Sequence, residues 1–214
     1  MSVTATPDPK IAYGPRVELQ DLEDLYEGQQ VQSFQPTPAG IDNLGITSVD
    51  TFKVPGMGEF TVEFNGYVRV ARSEPTTGDW ASAEVYTNLI EMRMEGDSPE
   101  LGPITVTLDP ECLSAGQIRT PFTDEHLPRP KKACRMAVGA QFELPRLGLT
   151  LYNKEPVVLT IDNVSAIPPA GNPGEGQIYR MLPLYNRADP EGRPVAYLTS
   201  LRFAMGTYLP APAR

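Results

Sequence analysis

Few residues in this chain carry obvious chemistry. The one histidine, His126, stands in "TPFTDEHLPRP" beside Asp124 and Glu125. An imidazole flanked by carboxylates could serve as a general base or supply one metal ligand. Either role needs partners in space, and the same surroundings suit a solvated loop histidine. Without a second histidine the chain cannot build a two-histidine metal centre of its own, and Cys112 and Cys134 lack paired zinc spacing. Ser114, in "CLSAGQ", sits in no Gly-x-Ser-x-Gly elbow and has no assignable base. The glycine-rich "GNPGEGQ" at 171–177 lacks lysine and is soon followed by Pro183, where a phosphate-binding helix should start, so it reads as a flexible surface loop. Glu91 and Glu95 could form an acid and base pair, but sequence separation fixes no distance between them. No metal and no cofactor is expected.

Aromatic and small residues give a second set of candidates. Trp80, in "EPTTGDWASAE", falls in an inter-strand loop, where a rigid ring can stack a sugar, anchor a partner or cap one end of the core. "ACRMAVGAQFEL", residues 133–144, places Cys134, Met136, Val138, Ala140, Phe142 and Leu144 on one strand face. Its other face is small in the middle, at Ala137 and Gly139, too small for an ordinary charged solvent face. A second layer of the same chain, another subunit or a bound molecule must cover it. Trp80, Ala137, Gly139 and Phe142, with Met136 beside them, are the expected ligand or partner contacts.

The elements that position these residues are strands. The 214 residues include 23 prolines and 18 glycines spread without a period, which fits many short strands better than a helical bundle. From residue 46 onward the hydrophobic period is two. In "EFTVEFNGYVRVAR" a tight turn at Asn65 and Gly66 would throw Val68 and Val70 onto the face opposite Phe60, Val62 and Phe64. One long strand, bulged at Gly66, keeps all the even positions in phase. Further strands are expected at 83–94, 103–109, 147–152, 157–163 and 195–209, with "YNKEP" turning a hairpin over 147–163 and long loops at 110–132 and 165–177. Pro15 to Gly28 has helical spacing at Leu19, Leu22, Leu25 and Tyr26, with an acidic opposite face. The resulting expectation is an all-β fold: a two-sheet antiparallel β-sandwich, Greek-key or jelly-roll-like, over residues 15–214, with one short N-terminal helix and a flexible arm at 1–14.

Charge narrows the partners. With 27 acidic against 18 basic side chains the net charge is −9, which disfavours nucleic acid or an anionic membrane as the main partner. No secretory signal or membrane-length apolar run is present in the sequence, so a soluble cytoplasmic protein with reduced cysteines is expected. The leading functional expectation is a non-enzymatic interaction or assembly protein that self-associates through the Ala137 and Gly139 face. A sandwich binding an apolar or sugar-like small molecule is the alternative, and a jelly-roll enzyme using His126 with nearby acids is the third.

Overall fold

The computed structural model describes residues 39–77, 83–120, 133–161, 173–178 and 181–208. Period-two alternation is realised as thirteen strands: β1 (Gly40–Val54), β2 (Gly58–Arg72), β3 (Thr76–Thr77), β4 (Ala83–Ser98), β5 (Gly102–Leu108), β6 (Ala115–Thr120), β7 (Ala133–Val138), β8 (Ala140–Leu144), β9 (Leu149–Asn153), β10 (Val157–Ile161), β11 (Pro173–Gln177), β12 (Leu182–Asn186) and β13 (Ala196–Tyr208). All belong to one antiparallel sheet. Among the described residues, the one helical turn is a 3-10 turn at Pro145–Leu147, closed by Gly148 in the left-handed region at φ 64°.

The pairings close this sheet on itself. β5 and β6 lie end to end along β4, and β7 with β8 lie end to end along them. β9 and β10 then run along β8 and β7, and β12 and β11 run along β9 and β10. Both β12 and β11 pair with β13, and β13 pairs with β1 from Leu44↔Tyr208 to Lys53↔Tyr197. Counting each end-to-end pair as one stave gives eight: β1, β2, β4, β5/β6, β7/β8, β9/β10, β11/β12 and β13. Each stave pairs with the next in chain order and the last with the first, which is an up-and-down barrel.

The two separate sheets expected from sequence are therefore replaced by one closed sheet. The long links that suggested Greek-key crossings hold strands of their own, β6 within 110–132 and β11 within 165–177. "YNKEP" also does not turn a hairpin. β9 and β10 share no pairing; both continue in one direction along β8 and β7. The segment "GNPGEGQ" is largely strand β11 rather than a loop, with Gly174 opposite Phe203. The helix expected over Pro15–Gly28 and the arm at 1–14 lie outside the described residues. No helix among the described residues is long and apolar enough to cross a membrane.

Alternation decides what enters the barrel. On β1 the even positions from Asp42 to Phe52 are buried, and on β2 Val62, Phe64, Val68 and Val70 are buried in one unbroken strand. No turn forms at Asn65 and Gly66. A Cβ on Gly66 would lie 1.9 Å from the Arg93 carbonyl oxygen, so this inward position can hold only glycine where the sheet coils tightly. The ladder irregularity on this edge falls between Arg69 and Val70, where Ile90 of β4 is the extra residue.

Candidate functional site

The interior of the barrel is the site that these elements build. Phe52 from β1 packs edge-on against Phe64 of β2 at 6.2 Å and Phe142 of β8 at 5.5 Å between centroids, filling the axis. Toward the end carrying the tight turns a small cavity of about 20 Å³ remains, lined by Phe52, Leu101, Ile104, Phe142, Leu144 and Leu151 among other apolar side chains. That is room for about one water. Four methionines, Met92, Met94, Met136 and Met205, are buried in the same core. Their unbranched thioether chains repack at low cost, so the interior can widen in a way that a branched aliphatic core cannot.

Polar groups also face inward, and some of them are answered. Asp42 and Arg72, both on the inward phase, form a two-pronged ion pair between β1 and β2. Asn153 accepts from the Ala140 amide at 2.7 Å and donates to the Val138 carbonyl at 3.1 Å and the Glu155 carbonyl at 2.7 Å. It thereby pins the interruption between β7 and β8. Ser48 and Asp50 are not answered: they are 4% and 1% exposed, and Ser48 Oγ and Asp50 Oδ1 have no hydrogen-bond partner among the described residues. Burial pushes the Asp50 carboxyl up from 3.8 to about 7, and the nearby Ser48 hydroxyl pulls it partway back without reaching bonding geometry. Thr87 Oγ1, on the inward phase of β4, is likewise without a partner.

The residues singled out from sequence are spread across this frame. Phe142 and Met136 both face the core. Ala137 lies in the sheet between Ala115 and Val158. Gly139 is covered by the chain itself: its amide donates to Ser114 Oγ at 3.1 Å, its carbonyl accepts from the Asp109 amide, and a Cβ there would lie 2.3 Å from Cys112 Cβ. The covering of the small face is thus the 109–114 segment, which departs from the ladder between β5 and β6. Arg187 holds that segment through Asp109 and Glu111 while stacking over Tyr152. Ser114 is accordingly a structural acceptor. Trp80 and His126 lie outside the described residues.

Glu91 and Glu95 do not form a pair. Glu91 is held by Tyr67 at 2.7 Å and Arg69 at 2.9 Å, and both contacts keep its carboxyl below the usual range. Glu95 is engaged by Arg93 at 2.8 Å. Cys112 and Cys134 are both free thiols, and burial raises Cys134 to about 12, which makes it inert as a nucleophile. No group of three or more His, Cys, Asp or Glu among the described residues could hold a metal ion.

Sequence reasoning missed Asp50 and Ser48. The signal was present in "IDNLGITSVDTF", where both share the even phase of Leu44, Ile46 and Phe52. A polar residue in phase with a hydrophobic face is the readable mark of a buried polar group.

Comparison with known proteins gives two findings. A family model described as a family of unknown function, DUF6073, matches residues 1–213. The structure of DynF from the dynemicin biosynthesis pathway of Micromonospora chersina is 60% identical in sequence, with a TM-score of 0.76, over 86% of this chain and 95% of that one. No curated protein matches the chain.

Proposed function

The chain belongs to the DUF6073 family, and from the geometry of this member we propose that it is a non-enzymatic binding protein whose barrel interior takes up an apolar small molecule. One observation carries this reading: a closed barrel whose interior is apolar, methionine-rich and holds an entirely apolar cavity, yet leaves inward polar groups without partners. An eight-stranded barrel is just wide enough either to be filled by side chains or to hold one small ligand. Unanswered polar atoms in a filled core cost roughly 1–3 kcal/mol each, so the ligand-binding alternative is favoured. The likeness to DynF supports a place in a biosynthesis pathway, as binder of an apolar intermediate or product. Self-association through Ala137 and Gly139 is less favoured, because Cys112 already fills that face.

The test is titration of full-length protein with N-phenyl-1-naphthylamine, whose fluorescence rises in apolar surroundings. Saturable enhancement is expected at one equivalent per chain. It should weaken in Phe142→Asp, which places a charge on the cavity wall. No enhancement above that of an unrelated folded protein would refute the reading.

A further inference from the structure

We propose that Ser48 and Asp50 form the polar anchor of the interior site, two hydrogen-bond donors that hold a carbonyl oxygen on an otherwise apolar ligand. This rests on the binding reading above and names the chemistry that the ligand must carry. Both side chains leave the same face of β1, two residues apart and short of Phe52, which lines the cavity. Asp50 lies opposite Val62 on β2 and Leu201 on β13, and Ser48 lies opposite Phe64 and Phe203. The walls around them are therefore hydrocarbon.

The contrast within one strand carries the inference. Asp42, further along the same face, is met by Arg72, and Asn153 elsewhere in the interior makes three hydrogen bonds to backbone groups. The fold thus answers Asp42 and Asn153 but leaves Ser48 Oγ and Asp50 Oδ1, neighbours on one face of β1, open, as it does Thr87 Oγ1 on β4. An unpaired buried acid is among the costlier features a core can hold, and it persists where something outside the fold completes it.

The identity of that partner follows from the surroundings. An ionised Asp50 would call for a cation, and none among the described residues contributes to its titration. From β2 it is met by Phe60, Val62 and Phe64, and from β13 by Leu198, Leu201 and Phe203. No charged group contributes to its titration, which burial has moved to about 7. The acid is therefore largely protonated below neutral pH and acts as a donor. The Ser48 hydroxyl supplies a second O–H donor two residues away on the same face, and a carbonyl oxygen can accept from both.

Displacement of N-phenyl-1-naphthylamine from full-length protein by 4-butylacetophenone, 4-butylbenzylamine and pentylbenzene tests this. At pH 6 the ketone should bind about tenfold more tightly than the hydrocarbon, the scale of one to two buried hydrogen bonds, and that preference should shrink by pH 8. Asp50→Leu should still bind pentylbenzene and lose the preference, whereas Asp50→Asn should keep it and lose its pH dependence. Urea unfolding of both variants verifies that they fold. Equal affinity for ketone and hydrocarbon, or a preference that survives in Asp50→Leu, overturns the anchor while leaving the binding function standing. Tightest binding by the amine, rising with pH, overturns the donor assignment. Displacement by none of the three overturns the binding reading and the anchor with it.

Discussion

Replacing Asp50 with Asn should flatten one component of the protein's pH dependence. In the folded chain the carboxyl titrates at about 7, against an ordinary value of 3.8. Between those values the unfolded chain has released the proton and the folded chain still holds it, so stability falls as pH rises. The stabilisation is complete below 3.8 and gone once pH has passed 7. A shift of roughly 3 units at 1.36 kcal/mol each gives a loss of about 4 kcal/mol from this one group. Other carboxylates work in the opposite direction: Glu91, held below its usual range, favours the folded state at neutral pH and loses that contribution in acid. The measurement is therefore a difference. Urea unfolding of wild type and Asp50→Asn at half-unit steps from pH 4 to pH 7.5 should show wild type losing ground to the variant by several kcal/mol. A constant offset comes from the buried amide and cancels. A difference that stays level to within about 0.5 kcal/mol across the range, the usual error of comparing variants, would refute the claim that Asp50 is buried without a charged partner.

Three further outcomes follow from close contacts and backbone hydrogen bonds. Gly66→Val should prevent folding altogether, since even a Cβ would lie 1.9 Å from the Arg93 carbonyl; recovery of soluble protein with a wild-type circular dichroism spectrum would contradict the tight coil there. Gly139→Ala should cost about 1–3 kcal/mol of overpacking, and Cys112→Gly in the same chain should restore part of it, because Cys112 Cβ and Sγ are the atoms that the new methyl meets. Urea midpoints of the two single variants and the double variant give the coupling, and strict additivity would argue against that contact. Asn153→Ala removes the side chain that serves Ala140, Val138 and Glu155, so a loss of about 2–4 kcal/mol and faster hydrogen exchange at the Ala140 amide are expected; unchanged exchange would mean that the strand interruption is held by something else.

Much of the wall of the barrel was legible in the sequence, and its closure was not. The in-phase run Phe60, Val62, Phe64, Val68 and Val70 gave one long strand in place of a hairpin, and the even face of 133–144 is buried from Cys134 to Leu144. Both are local periodicities. Whether β13 joins β1 depends on pairs such as Leu44↔Tyr208, far apart in the chain, and no local pattern encodes them. A barrel stave and a sandwich strand carry the same alternation. Strands β6, β11 and β12 were missed because Gly116, Gly174, Gly176 and Pro183 weaken the hydrophobic signal where neighbouring strands approach closely. Asp50 was not singled out, although its phase along β1 places it inside.

The joining of β1 to β13 also sets a timetable. During synthesis β1 can zip onto β2 as soon as that hairpin emerges, but its other edge has no partner until residues 196–208 have left the ribosome. Until then the growing chain carries open strand edges and uncovered apolar faces, the features that drive strand-to-strand aggregation. Pairings of such high contact order also fold slowly. Yield in a heterologous host should therefore respond to growth temperature and chaperone supply more than the stability of the finished barrel would suggest.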